Sequence, residues 1–175
     1  MEKKEIFIKA IKENERLIFK IASVYTNNTD DKADLVQEII YQLWKSFDSF
    51  KQQSNLNTWL YRVALNVAIY QLKIAKRRVS TVEINEQILN HNDDFNNEEE
   101  QKWELFRQLI ENLNLLDKGI VMLYLENKSY AEIAKIIGIT ATNVGTKIQR
   151  IKEKLKRQHI NSKSNGIRGT KNTLG

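Results

Sequence analysis

The stretch SYAEIAKIIGITATNVGTKIQRIKEKL, from Ser129 to Leu155, decides the fold of the C-terminal part of the chain. Ser129 followed by Glu132 forms a capping box, which predicts the start of a helix. Gly138 stands where helices commonly end in a left-handed residue, and Thr140 can cap a second helix. Two short helices joined by a tight turn are typical of the helix-turn-helix motif, whose second helix normally enters the DNA major groove. An ordinary helical hairpin is the alternative interpretation.

The apolar positions of this stretch follow the helical period and give each helix one inward face. They are Ala131, Ile133, Ala134 and Ile137 in the first helix, and Val144, Ile148, Ile151 and Leu155 in the second. The other positions of the second helix form a polar, basic outer face. The residues predicted to face DNA are Thr142, Asn143, Gly145, Thr146, Gln149 and Arg150, with Lys147 at the edge.

The composition argues against several classes of protein. The 175 residues contain no cysteine and only two histidines, so a disulfide framework, a thiolate metal site or a nucleophilic catalytic centre is hard to assemble. We therefore expect neither enzyme activity nor a cofactor. Asp30, Asp31 and Asp34 could hold a magnesium ion, but helix capping is the favoured interpretation. No long apolar run or signal-peptide pattern occurs, which predicts a cytoplasmic protein without membrane insertion.

Charge and proline content predict an all-α chain with two small helical domains. The net charge of +6 favours a polyanionic partner, and the absence of proline suits helices. Residues 79–100 contain no lysine or arginine and are rich in Glu, Asp and Asn, so we expect a flexible acidic linker over 81–100. It would join a domain at 1–80 to one at 101–160. A basic, disordered tail is expected at 161–175.

The N-terminal domain is predicted to contain three helices. The first runs from Glu5 to Tyr25, and the second is capped by Thr29 or Asp30. The third runs from Thr58 to about Arg78, with Asn57 as its N-cap. The second helix places Leu35, Ile39, Leu43 and Phe47 inward and Asp34, Gln37, Glu38 and Tyr41 outward. Composition alone assigns this outer face no role beyond a solvated surface.

One side of the third helix combines cations, an amide and an aromatic ring. Its members are Arg62, Asn66, Tyr70, Lys73 and Arg77, which recur at helical spacing. Such a surface fits single-stranded nucleic acid, because cations follow phosphates, rings stack on bases and amides read base edges. A solvated basic face explains the pattern equally well.

Two further helices are expected to support the helix-turn-helix, since two short helices cannot bury enough apolar surface alone. They run from Gln101 to Leu113 and from Leu116 to Leu125. Their aromatic and aliphatic stripes, which include Trp103 and Ile120, favour a core over a ligand site.

Taken together, these stretches resemble the extracytoplasmic-function class of bacterial sigma factors in the sigma-70 family. DKADLVQEIIYQLWKSF, residues 31–47, is similar to the helix with the family's main polymerase-binding surface. NTWLYRVALNVAIYQLKIAKRR, residues 57–78, is similar to the promoter-melting and −10 recognition helix. The helix-turn-helix is similar to the −35 reader. The resemblance implies a region 2 helical bundle and a region 4 helix-turn-helix bundle.

The resemblance also implies roles for individual residues. The docking surface for core RNA polymerase would comprise Asp34, Leu35, Gln37, Glu38 and Tyr41. The −10 and melting set would comprise Lys51, Asn55, Asn57, Arg62, Asn66, Tyr70, Lys73 and Arg77, with Asn66 at a flipped base. Thr146, Gln149 and Arg150 match −35 contacts, while Thr142 and Asn143 could bind phosphate through backbone N–H groups. Gly145 and Lys147 occupy positions where the family often has DNA-contacting side chains.

The implied partners are core polymerase and promoter DNA. On polymerase they are the clamp helices of the largest subunit and the flap of the second-largest subunit. An anti-sigma protein is a further candidate, because proteins of this class are commonly held inactive in that way. The family usually has Leu-Pro where this chain has Leu113-Asn114.

Three rival functions remain. A helix-turn-helix regulator could bind duplex DNA without replacing the housekeeping sigma factor, although it would not need the single-strand-binding face. An enzyme acting on nucleic acid lacks obvious catalytic residues. A pure protein-interaction module would leave the basic faces solvated.

Overall fold

The computed structural model describes residues 2–50, 55–79 and 98–169, and all regular structure in them is helical. The prediction of an all-α fold is confirmed. In chain order the helices are α1 (Lys3–Glu13), α2 (Glu15–Tyr25), α3 (Thr29–Ser46), a 3₁₀ turn (Phe47–Ser49), α4 (Leu56–Val79), α5 (Glu98–Ile110), α6 (Leu115–Leu125), α7 (Tyr130–Ile137) and α8 (Ala141–Gly169). They form two compact units, one with α1 to α4 and the other with α5, α6, most of α7 and α8.

The first predicted helix is in fact two helices, so the prediction of one helix over Glu5–Tyr25 was wrong. Asn14 lies between α1 and α2 with φ −116° and ψ 16°, outside the helical region. Its side-chain amide donates to the Ala10 carbonyl at 2.8 Å, and its backbone N–H donates to the Ile11 carbonyl. Asparagine competes in this way for backbone partners, which explains the break within a continuous apolar pattern.

The core of the first unit lies where α2, α3 and α4 pack on one another. Ile18 and Ile21 from α2 meet the predicted inward residues Ile39 and Leu43 of α3, and all four are essentially inaccessible to solvent. The α4 helix contributes Leu60, Tyr61, Ala64, Leu65 and Ala68. Each fully buried large aliphatic side chain contributes roughly 1.5–3 kcal/mol through removal from water. This burial fixes which side of α3 and of α4 remains outside.

Two asparagines begin the helices, rather than the caps expected from the sequence. The side-chain oxygen of Asn28 accepts a hydrogen bond from the Asp31 N–H at 2.8 Å. Asn28 is therefore the N-cap, and Thr29 and Asp30 already belong to α3. Similarly, the Asn55 side chain accepts from the Asn57 N–H at 3.0 Å. Asparagine one or two residues upstream satisfies the same free N–H groups, so the sequence offers several equivalent caps.

The core of the second unit is built mainly where α6 and α8 pack on each other. Ile120 and Leu123 of α6 and Val144 of α8 have no or almost no exposed surface. Asn114 caps α6 by accepting from the Asp117 N–H at 2.8 Å. The asparagine that stands in place of the family's proline therefore starts the same helix by a side-chain hydrogen bond.

The ends of the second unit differ from the expected boundaries. The α5 helix begins at Glu98, within the predicted linker, whose residues 81–97 lie outside the described part of the chain. The α8 helix continues to Gly169, past residue 161, at which the sequence predicts the start of a disordered tail. Helix propagation adds a hydrogen bond per residue once a helix exists, and no proline stops it here.

Candidate nucleic-acid interface

The helix-turn-helix has the local geometry expected from its sequence. The Ser129 N–H donates to the Glu132 carboxylate at 2.8 Å, and the Glu132 N–H donates to Ser129 Oγ at 3.2 Å. Gly138 has φ +85°, and the Ile139 N–H donates to the Ala134 carbonyl. This i to i−5 bond is the one that closes a Schellman-type helix end. The predicted capping box and left-handed glycine are confirmed.

The inward face of α7 is rotated from the predicted one. Ile133 is fully buried and Ile136 is 3% exposed, whereas Ala131 is exposed and Ile137 is only half-buried. Two adjacent isoleucines at 136 and 137 made the choice ambiguous, because either fits a helical period.

The outer face of α8 presents most of the predicted DNA-facing side chains together. Thr142, Asn143, Thr146, Gln149 and Arg150 are all exposed. The opposite face is buried through Val144, Ile148 and Ile151, as expected. Thr140 Oγ1 accepts from the Asn143 N–H at 3.2 Å, so the predicted cap of this helix is confirmed.

Two predicted DNA-facing residues instead face their own unit. A Cβ placed on Gly145 would lie 3.4 Å from a ring carbon of Tyr130, so this half-buried position lies next to that ring. Lys147 Nζ lies 3.2 Å from the Asp117 carboxylate in a partly buried ion pair. The sequence predicts Gly145 on the outer face and Lys147 at its edge, but the packing of α6 and α7 sets their neighbours.

Next to this face, a cation is held between α6 and α8. Lys152 Nζ donates to the Tyr124 hydroxyl at 3.0 Å, and this bond raises the pKa of Lys152. The ammonium also lies 4.7 Å from the centre of the Tyr124 ring. Lys152 therefore stays protonated and links α8 to Tyr124 of α6. The sequence pattern did not predict this contact.

The polar stripe on α4 is exposed along its whole predicted length. Arg62, Asn66, Tyr70, Lys73 and Arg77 are all exposed, and Tyr70 has 63% of its surface accessible. Burial of the opposite side, through residues such as Leu60 and Ala64, sets this orientation. Asn55 and Asn57 are exposed at the start of α4, while Lys51 lies outside the described residues. A largely exposed tyrosine beside cations is suited to stacking on an unpaired base.

The outer face of α3 separates the predicted polymerase-docking residues into accessible and buried ones. Asp34, Gln37 and Tyr41 are exposed, and Glu38 is half-buried, with its carboxylate accepting from the Gln42 amide at 2.8 Å. Leu35, however, is only 6% exposed. It lies on the inner side of α3, whereas the family resemblance predicts it as a polymerase contact.

An open apolar groove of about 430 Å³ lies between α1 and α3, beside this face. Its lining residues are Lys4, Phe7, Ile8, Gln37, Ile40, Tyr41 and Trp44. Ile8 and Trp44 remain 42% and 37% exposed, which is high for large apolar side chains. Sequence reasoning missed this groove because nothing in the local pattern says that α1 lies beside α3.

The described residues include neither a cluster of metal-ligating side chains nor a membrane-spanning helix. Among them, no three acidic, histidine or cysteine side chains come close enough to hold a metal ion. Asp31 instead accepts from the Asn28 side-chain amide at 2.6 Å, as part of the cap of α3. Within the same residues, no helix has the length and apolar character needed to cross a bilayer.

Comparison with known proteins identifies both units. The Sigma-70 region 2 family matches residues 10–78, and the Sigma-70 region 4 family matches residues 103–155. The ECF RNA polymerase sigma factor SigG of Mycobacterium tuberculosis is 40% identical over 53 residues, which cover 30% of this chain. The chain spans only 14% of the length of that relative.

Two other proteins match over most of the chain. The ECF RNA polymerase sigma-E factor of Haemophilus influenzae is 30% identical over 148 residues, covering 77% of this chain and 78% of that protein. The fold is similar to the sigma factor RpoE of Bartonella quintana, solved with the anti-sigma factor NepR, with a TM-score of 0.67 and 20% identity. That similarity covers 87% of this chain and 96% of the other. The chain belongs to the extracytoplasmic-function sigma factors of the sigma-70 family.

Proposed function

We propose that this protein is a dissociable initiation factor that binds core RNA polymerase and directs transcription from promoters with particular −10 and −35 elements. The observation that supports this function best is the presence of two different nucleic-acid surfaces. The α4 stripe has the chemistry of a single-strand reader, and the α8 outer face has the form of a duplex reader. A factor that both selects and opens a promoter needs both. Its site of action would be the cytoplasm.

The α4 stripe would capture the separated non-template strand at the −10 element. Extruding a base costs a few kcal/mol, and a preformed surface can offset that cost without ATP. The Asn66 amide would hydrogen-bond the extruded base, and the exposed Tyr70 ring would stack on a neighbour. Lys73 and Arg77 would follow the phosphates.

The α8 outer face would read the −35 element in the major groove. Gln149 and Arg150 offer side chains that can form paired hydrogen bonds with base edges. Thr142 lies in the first turn of α8, where backbone N–H groups attract phosphate, whereas the Asn143 N–H already donates to Thr140 Oγ1. Lys147 is left out of this proposed contact set because it pairs with Asp117. Gly145 is left out because it has no side chain and lies next to the Tyr130 ring.

The α3 outer face would dock on the clamp helices of the largest polymerase subunit through Asp34, Gln37 and Tyr41. The second unit would engage the flap of the second-largest subunit. An anti-sigma protein would compete for these surfaces, by analogy with the sigma factor of Bartonella quintana that was solved with one. Residues 1–80 would form the docking and −10 domain, and 101–160 the −35 domain. The acidic segment between them would pass through the RNA path of polymerase.

Run-off transcription tests this function. Purified core polymerase would be supplied with fragments of the host genome, with and without the protein. We expect defined transcripts only when the protein is present, and their start sites would give the two promoter elements. Omission of core polymerase and addition of a housekeeping sigma factor would be the controls. Absence of transcripts from folded, inhibitor-free protein would contradict the proposal. Duplex binding without polymerase would then favour a conventional regulator.

A further inference from the structure

The α8 helix continues beyond the part of the chain that matches region 4. The family match ends at residue 155, whereas the helix reaches Gly169 and is thereby longer by about 20 Å. The sequence from Lys154 to the last residue contains no acidic side chain. The exposed cations of a long basic helix offer a surface for a polyanion.

The cations of this helix fall into two groups. Lys152 bonds to the Tyr124 hydroxyl, and Lys154 Nζ donates to the Asn112 carbonyl at 2.7 Å, so both are tied to the second unit. Lys156 and Arg157 are exposed. Within the described residues neither of them has an ion pair or a side-chain hydrogen bond, so their charges remain available for an outside partner.

Helix geometry places Arg157 on the same side as the proposed DNA-reading residues. It follows Arg150 by two turns, which is about 10 Å along the axis. The major groove is about 12 Å wide, and its edges are the two phosphate strands. When Gln149 and Arg150 read bases from within the groove, a cation two turns beyond Arg150 reaches the bounding strand. Lys156 lies next to Arg157 and widens this cationic end.

We infer that Lys156 and Arg157 form a phosphate clamp on the DNA strand that borders the −35 element, and that this clamp adds affinity independent of base sequence. This inference rests on the proposed function of α8. We assign duplex DNA as the ligand of Lys156 and Arg157 because these cations extend the outer face of α8 that is proposed to read the −35 duplex. Glu153 lies between Arg150 and Arg157 on that face and carries the opposite charge. It therefore opposes the clamp and limits its strength.

The test measures the binding of holoenzyme, assembled from core polymerase and the full chain, to a promoter fragment mapped by the run-off experiment. The variant is K156Q/R157Q, and the matched control is K12Q/R16Q, which removes the same charge from exposed positions on the first unit. Each phosphate contact contributes about 0.9 to the slope of log affinity against log salt. We expect the clamp variant to lower this slope by about 1.8 and to bind roughly thirtyfold more weakly at 0.15 M salt.

A second measurement tests whether the contribution of Lys156 and Arg157 to DNA binding is independent of the base sequence. The clamp variant should lose the same factor on the promoter and on a fragment with a scrambled −35 element. Glu153→Gln should tighten binding to both fragments. A slope equal to that of the unchanged chain, or a loss confined to the promoter fragment, would overturn the clamp. If the unchanged protein itself fails to prefer the promoter over the scrambled fragment, the proposed function fails and the clamp fails with it.

Discussion

At the residue scale, two glycines in the helix-turn-helix have different physical roles. Gly138 has φ +85°, and a Cβ there would touch nothing within 4 Å, so backbone conformation alone favours glycine. Gly145 lies inside α8 with ordinary helical geometry, and a Cβ there would meet the Tyr130 ring at 3.4 Å. The turn requires the first glycine. The second glycine makes α8 less stable than an alanine at the same position would.

Replacing each glycine with alanine should therefore change stability in opposite directions. Gly138→Ala should lower the free energy of unfolding by about 1–2 kcal/mol, because an L-residue is strained in the left-handed region. Gly145→Ala should raise it by about 0.5–1 kcal/mol through lower chain entropy in the unfolded state. Chemical denaturation followed by circular dichroism measures both. Stabilisation by Gly138→Ala would contradict this account of the turn.

Lys147 gives a second prediction at this scale, because its ion pair with Asp117 withdraws it from the reading face. Lys147→Ala should reduce stability by up to about 1 kcal/mol, since the pair is only partly buried. It should leave the preference for a −35 duplex over a scrambled one unchanged. Asp117→Ala in a double-mutant cycle separates the coupling from the two single effects. A lost −35 preference in Lys147→Ala would show that the lysine reads DNA.

At the element scale, α3 illustrates how one helix serves two environments. Leu35 and Ile39 are buried against α2 and α4, while Asp34 and Gln37 lie on the outer side. Neighbours in sequence point about 100° apart on a helix, so adjacent residues can have unrelated roles. The exposed side, together with the apolar groove beside α1, is the proposed polymerase-docking surface.

Substitutions of the two neighbouring residues should separate docking from folding. Asp34→Arg should weaken the binding of core polymerase with little change in stability, because the side chain is exposed and the charge is reversed. Leu35→Ala should lower the free energy of unfolding by about 2–5 kcal/mol through loss of buried surface and a residual cavity. Competition with a labelled housekeeping sigma factor measures docking, and thermal denaturation measures folding. Undiminished polymerase affinity of Asp34→Arg would reject the docking assignment.

For the whole molecule, the two units place the proposed single-strand reader and the proposed duplex reader on one chain. Each surface is fixed by the core of its own unit, through Leu60 and Ala64 behind the α4 stripe and Val144 and Ile148 behind the α8 face. Defects in one reading surface should therefore leave the other intact.

Variants in the two units should accordingly lose different promoter elements. Arg150→Ala should weaken binding of a −35 duplex by about 1–3 kcal/mol if its guanidinium reads a base. Asn66→Ala should spare that duplex and weaken binding of a −10 single strand. Holoenzyme binding to each DNA fragment, measured by fluorescence anisotropy, distinguishes the two losses. An equal Arg150→Ala effect on all duplex sequences would instead indicate a phosphate contact.

Local sequence patterns predict the helical class, the helix-turn-helix and the exposure of most candidate site residues. The capping box at Ser129, the glycine turn at Gly138 and the apolar period of α8 are local features, and local hydrogen bonds and backbone limits decide them. The same holds for the α4 stripe, because its polar residues follow the helical period. The polymerase, −10 and −35 assignments come from family resemblance and stay predictions.

Packing between helices sets the neighbours of Lys147 and Gly145, which local patterns do not specify. Lys147 forms an ion pair with Asp117, and Gly145 lies next to the Tyr130 ring. Both partners belong to other helices of the second unit, so the pattern of α8 alone cannot predict them. The groove between α1 and α3 likewise depends on how two separate helices pack. The break at Asn14 is only partly predictable from local sequence, because an asparagine side chain can hydrogen-bond backbone groups both inside a helix and at its end. Periodicity fixes the face of a single helix, but the neighbours of that face are set by long-range packing.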